Sequence, residues 1–133
     1  MTRVMLDTNI VSHLLKAHQN VLRHVRAAPM SSLCISSITE GELRHGLAKR
    51  PHAERLHVAV DELLRRVDVL PWSAATARRY GTIRAELDRL GKPLAPLDLL
   101  IAAHALDADA VLATNDRAFG RVEGLRTEDW TVA

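Results

Sequence analysis

Val4-Met5-Leu6-Asp7-Thr8-Asn9-Ile10-Val11 is the stretch from which the fold can be read. A short apolar run stops at three polar residues suited to capping a helix. Apolar positions then resume at Val11, Leu14 and Leu15 with helical spacing. A strand over residues 3–6, a sharp turn and a helix are the opening of a βαβ unit. The same grammar recurs along the chain. Leu33-Cys34-Ile35-Ser36 precedes a helix that Ser37 opens, with Glu40 three residues on as its capping-box partner. Residues 67–70 form a third apolar run and precede Ser73, the N-cap of a long helix whose apolar edge is Tyr80, Ile83, Leu87 and Leu90 and whose stop is Gly91 with Pro93. Residues 110–113 form a fourth, broken at Thr114-Asn115-Asp116, and residues 125–127 a short fifth.

Further helices are expected over residues 20–28 and along the stripe Ala53, Leu56, Val60, Leu63 and Leu64, after the break at Pro51. Pro96 suits the first position of a helix running to Leu106 that is apolar nearly all round and must be buried. The fold class is therefore α/β, a central parallel sheet of four to five strands flanked by helices. At 133 residues without a Pro/Gly/Ser-rich linker, residues 1–133 read as one domain.

Composition narrows the function. Eighteen Lys and Arg against sixteen Asp and Glu leave a net charge of +2, too small to imply a nucleic-acid partner by itself. Cys34 is alone, which fits a reducing, cytoplasmic compartment, and its place in an apolar run makes it a core residue. No apolar stretch reaches the roughly 18 residues of a membrane span, and Asp7 interrupts any signal-peptide core, so a soluble protein with no membrane association is expected. The seven histidines show no zinc spacing, there is no glycine-rich phosphate loop, and Asp7-Thr8-Asn9 lacks the second Asp of a phosphotransferase motif.

In an open parallel sheet, function gathers where strands end and helices begin. Four acids satisfy that condition: Asp7, Glu42, Asp98 and Asp116. Each alone is explained by capping or by the helix dipole. Asp98 resists this most, being the only acid in its apolar helix, and something cationic should sit beside it. Two carboxylates about 5 Å apart repel by roughly 3 kcal/mol at an effective dielectric of about 20, so a convergent set needs a counter-ion. All-oxygen donors suit Mg²⁺ or Mn²⁺, the apparatus of phosphodiester hydrolysis. Glu40 competes with Glu42, but the two lie about 200° apart on a helix, and Glu40 has the capping box to occupy it. Arg44, Lys49, Arg50 and Arg117 are candidate RNA contacts, with Arg78, Arg79 and Lys92 on the rim. They read equally well as a solvated face.

The blocks Val4-Met5-Leu6-Asp7-Thr8-Asn9-Ile10, Ser37-Ile38-Thr39-Glu40-Gly41-Glu42-Leu43-Arg44-His45-Gly46, Pro96-Leu97-Asp98-Leu99-Leu100-Ile101-Ala102-Ala103-His104-Ala105 and Ala113-Thr114-Asn115-Asp116-Arg117-Ala118-Phe119 together resemble VapC-type toxins of the PIN-domain ribonuclease family, in order and spacing. The resemblance spans essentially the whole chain. It implies a PIN fold, Mg²⁺- or Mn²⁺-dependent endoribonuclease activity, and Asp7, Glu42, Asp98 and Asp116 as catalytic and metal-binding residues. Asn9 and Thr114 match polar positions that orient the site. It also implies a homodimer and a cognate VapB-like antitoxin that covers the cleft. His45 departs from the pattern, relatives often carrying Tyr there. A non-catalytic PIN-like module that binds RNA or protein is the alternative.

Overall fold

Period-two alternation decides which way each strand residue faces. Val4 and Leu6, Leu33 and Ile35, and Val111 and Ala113 pack into one core cluster, while Met5, Cys34 and Leu112 between them pack into a second. The sheet is thus apolar on both faces, as parallel strands covered by helices on each side must be. The computed structural model describes residues 2–133. Its strands are Val4–Leu6 (β1), Leu33–Ser36 (β2), Asp68–Leu70 (β3), Val111–Ala113 (β4) and Thr127–Glu128 (β5). All pairings are parallel, in the order β3-β2-β1-β4-β5.

The described residues also form six α-helices: Thr8–Leu15 (α1), Gln19–Ala27 (α2), Ser37–Ala48 (α3), Glu54–Arg66 (α4), Ala74–Leu90 (α5) and Pro96–Asp107 (α6). Ile10, Val11, Val21, Leu43, Leu47 and Val60 place α1 to α4 against the first core cluster, and Leu87, Leu99, Ile101, Ala102 and Ala105 place α5 and α6 against the second. As its composition requires, α6 is buried over Ile101–Ala105, although Leu97 in its first turn is 46% exposed. The two halves of the sheet run outward from β1, so the strand order reverses between β1 and β4. That is the switch point at which an open α/β sheet leaves a crevice at its carboxyl edge.

Local details depart from the sequence reading. The N-cap of α3 is Ser36, whose Oγ accepts from the Ile38 amide at 3.1 Å. Ser37 is already helical, its hydroxyl accepts from the Trp72 amide, and Glu40 pairs with Arg44 instead of closing a capping box. Val67 belongs to the end of α4, its amide reaching Leu63, so β3 begins at Asp68. Ala110 likewise bonds back to Ala105 and Leu125 to Val122, which delays β4 and β5. Leu90 is 45% exposed and lies outside the core.

The predicted stop of α5 is realised by Gly91 in the left-handed region, φ 66°, with its amide and that of Lys92 returning to Asp88 and Leu87. A side chain there would meet no atom, so the cost of adding one is conformational. Gly91→Ala is expected to destabilise by about 1 kcal/mol, measured by urea denaturation.

Candidate active site

The carboxyl ends of β1 and β4 are stitched together at Asp7. Its amide donates to the Ala113 carbonyl at 3.0 Å, which fixes the backbone beside the switch point. Its side chain caps α1, Oδ1 accepting from the Thr8 amide at 2.8 Å, while Oδ2 accepts from the Thr114 hydroxyl at 2.8 Å. Thr114 in turn accepts from the Asp116 amide at 3.1 Å, and Asp116 Oδ1 caps the short 3₁₀ turn Arg117–Arg121 by accepting from Ala118. The capping explanation thus holds for both Asp7 and Asp116. It engages only part of each carboxylate, because two oxygens offer about four acceptor positions.

Glu42 projects from α3 toward the start of α1, where the Thr8 hydroxyl donates to its Oε1 at 2.7 Å. Thr8 spends its one proton on that bond, so the buried Thr39 hydroxyl, 3.1 Å away, donates to Thr8. Asp98 lies in the first turn of α6 and is half-buried.

Electrostatics links the four. Asp7 is only 2% exposed, and burial lifts its carboxyl to about 6 against the hydrogen bonds from Thr114 and Thr8, with the charges of Asp98 and Glu42 pushing the same way as burial. Asp98 is raised by burial, then by Asp116 and Glu42. None of the six ion pairs among the described residues involves any of these acids, so no described Lys, Arg or His supplies the cation expected beside Asp98. Among the described residues, no three His, Cys, Asp or Glu side chains close into a cage around an ion. The donor set is therefore all-oxygen, negative and open. Such a set fits a hard divalent cation that keeps several of its waters and takes only one or two carboxylates directly. Cys34 offers no competing chemistry, since burial lifts its thiol to about 11.

Two supports escaped the sequence reading. The hydroxyl that holds Glu42 belongs to Thr8, whereas Asn9 is exposed on the next position of α1. Thr8 sits beside Asp7 and was legible only as part of the cap. Inside the sheet, the buried His104 on α6 shares a 2.7 Å bond through Nδ1 with the Ser36 hydroxyl. This ties the helix of Asp98 to the cap of the helix of Glu42, and no sequence signal announces it.

The basic candidates divide. Arg44 is held by Glu40 at 3.2 Å and Asp61 at 3.6 Å. Arg50 lines a recess of about 320 Å³ that also includes Thr8, Lys16 and Glu42. Lys49 is the exposed C-cap of α3, and Arg117 is exposed directly after Asp116. Arg78 and Arg79 lie on the exposed side of α5, and Arg79 borders a different depression, with Glu86 and Leu90.

With this geometry in view, the chain can be set beside known proteins. Residues 4–125 match the family described as PIN domain. The chain is 42% identical over 132 residues to the tRNA(fMet)-specific endonuclease VapC of Shigella flexneri, covering 98% of this chain and 100% of that one. It is 37% identical over 131 residues to ribonuclease VapC2 of Haemophilus influenzae, covering 98% and 99%. Among solved structures, DNA-bound VapBC from Salmonella typhimurium superposes with a TM-score of 0.90 at 39% identity, covering 98% and 99% of the two chains.

A buried acid raised from 3.8 to about 6 opposes folding once it ionises. Both states carry the proton below pH 4, the penalty grows between pH 4 and 6, and it is complete above. Without divalent cations, Asp7→Asn is expected to stabilise the protein by about 1 kcal/mol at pH 7.5: the amide oxygen still accepts from Thr8 and the buried charge is gone, while loss of the acceptor for the Thr114 hydroxyl offsets part of the gain. The advantage disappears by pH 4. Paired urea titrations across that range check it.

Proposed function

The chain belongs to the PIN-domain family, and from that membership together with its four electrostatically linked acids we propose that it is a divalent-cation-dependent endoribonuclease, the toxin of a VapBC-type toxin–antitoxin pair. The observation that supports this reading is that carboxylates from four separated parts of the chain feel one another's charge, and none of them forms an ion pair among the described residues. Capping uses one oxygen of Asp7 and one of Asp116, and it does not account for the approach of Glu42 and Asp98 to them.

Asp7, Glu42, Asp98 and Asp116 would hold Mg²⁺ or Mn²⁺. When bound, such a cation supplies a water of lowered pKa and offsets charge gathering on the scissile phosphate. The chain's own residues set the geometry. Thr114 and the Thr8 amide fix the two oxygens of Asp7, the Thr8 hydroxyl fixes Glu42, and the Ala118 amide fixes Asp116. Each acid so held cannot swing away from its neighbours, and pre-set orientation of ligands is what lets weak individual contacts bind an ion firmly. His104 and Ser36 keep α6 and α3 in register, and so keep Asp98 opposite Glu42.

The partners follow from the same relationship. Superposition on VapBC2 of Rickettsia felis bound to promoter DNA, with a TM-score of 0.88 at 31% identity, supports a VapB-like antitoxin as the binding partner. We take residues 1–133 as one catalytic domain acting in the cytoplasm as a homodimer. Among the described residues no helix is long and apolar enough to cross a membrane. Because a 42% identical relative is named for tRNA(fMet), that RNA is the first substrate to assay.

Antitoxin-free protein is expected to cleave RNA with Mg²⁺ or Mn²⁺ and to stop when the ion is chelated. Asp7→Asn and Asp98→Asn should each lower kcat/KM by roughly 10³ or more. Millimolar Mn²⁺ should raise the Tm of the wild type and leave that of Asp98→Asn unmoved, by linkage between ion binding and folding. Undiminished cleavage by both variants, or an equal thermal response, would overturn the assignment.

A further inference from the structure

A cluster of carboxylates repels the polymer it is meant to cut. Some part of the surface beside it must attract phosphate, and the basic residues are not equivalent candidates. Arg44, Arg65, Arg66, Arg89 and Arg126 are each tied to an acid within 4 Å. Arg84 donates to the Tyr80 hydroxyl. Lys92, Arg117 and Arg121 form no ion pair among the described residues, and they surround one shallow depression of about 650 Å³ together with Gly91, Pro93 and Gly120.

The small residues keep this depression open, and the site's own elements frame it. Arg117 follows Asp116 directly. Pro93 lies five residues before Asp98, in the segment that leads into α6. Arg121 donates from Nη1 to the Pro93 carbonyl at 2.7 Å, which braces its guanidinium across the two segments and leaves its other N–H groups to a ligand. Asp129, held below the usual carboxylate range first by the Thr131 hydroxyl and amide, also feels the charge of Arg117, but forms no ion pair with it among the described residues. Among the described residues Lys16 and Arg50 are likewise without an ion pair beside Glu42, but only here do three such cations share one depression next to an acid of the site.

We propose that Lys92, Arg117 and Arg121 form a phosphate-binding track that seats the RNA backbone on the β4–α6 side of the cleavage site. The track rests on the ribonuclease reading and adds to it a direction: the strand enters or leaves past Asp116 and the α5–α6 connection. Arg44, despite its place on α3 near Glu42, is no part of it. A track of this kind binds sequence-independently and is sensitive to salt.

The test is steady-state cleavage of an RNA at fixed Mg²⁺ over a series of NaCl concentrations. Each phosphate contact contributes about 0.7 to the slope of log(kcat/KM) against log[salt] for single-stranded RNA. Lys92→Gln and Arg117→Gln should each flatten that slope by about 0.7, and the triple variant with Arg121→Gln by about 2, with KM raised at least tenfold and kcat within about threefold. Arg55→Gln, on exposed α4, removes the same charge elsewhere and should leave the slope as it is. The single variants touch no backbone acceptor, so they carry the test even if loss of the Arg121 brace disturbs folding. Wild-type slope and KM in both single variants would sink the track while leaving the ribonuclease reading intact. The same kinetics combined with weakened, salt-sensitive antitoxin binding would assign the patch to a protein partner and sink it equally. A wild-type protein that cleaves no RNA with either ion would remove the ribonuclease reading, and the track with it.

Discussion

The hydrogen bond from Thr114 to Asp7 is the contact on which the site depends. It joins the residue after β1 to the residue after β4 across the one place where the sheet leaves a gap, and it does so beneath the surface, where a carboxylate without such a donor would be costly. The rest of the arrangement is built outward from this pair. The Ala113 carbonyl pins the Asp7 backbone, the Thr114 oxygen orients the turn that carries Asp116, and the Thr8 next to Asp7 reaches across to Glu42. Thr8 of α1 and Thr114 after β4 therefore position two acids that follow different strands and one carried on a helix. Asp98 joins from α6, which reaches its depth only because it is apolar enough to be buried on the other face.

This explains why the fold was readable from residues 4–11 and the finer contacts were not. Burial on both faces makes strands into short apolar runs, and crossover helices carry their own stripes, so element type survives translation into sequence. The boundaries depend on which of two neighbouring groups wins a hydrogen bond. At the start of α3, Ser36 and Ser37 are equally good caps on paper; the strand geometry of Ser36 gives it the Ile38 amide, and Ser37 is drawn to Trp72. Once the cap moves by one residue Glu40 loses its capping partner, and it pairs with Arg44 on the same helix face four residues on. Glu42, about 200° round the helix from Glu40, meets Thr8 instead, so helical phase and not the capping box separates the two acids.

The acids were legible because their placement follows from topology. Their supports were not, because a supporting hydroxyl needs only to be within reach, and reach is a tertiary property. Thr8 and Asn9 look interchangeable in the sequence, yet one residue step on a helix turns a side chain by about 100°, and only Thr8 faces Glu42. Ser36 and His104 are 68 residues apart and belong to different layers. The cations show the same limit from the other side: Arg44 and Arg117 are both exposed and both near an acid of the site, and only the fold reveals that the first is held by two carboxylates while the second is not.

A site of this kind is held in a state that its own chain does not favour. Burial and mutual repulsion raise Asp7 and Asp98, and burial in the opposite sense lowers His104, whose Nδ1 meets the Ser36 hydroxyl. The first penalty grows as pH rises from the ordinary carboxylate range to the value of about 6 at Asp7, the second as pH falls below the ordinary imidazole value of 6.5, so neither acid nor base leaves the cation-free protein at ease. Whatever brings positive charge to the four carboxylates recovers the first penalty as binding energy. Under the proposed function a divalent ion does so in the active enzyme, and a basic side chain of an antitoxin could draw on the same free energy. Ion and inhibitor would then compete for one unpaid charge, so a toxin's need for its metal and its susceptibility to its antitoxin would rise together from the burial of a single aspartate.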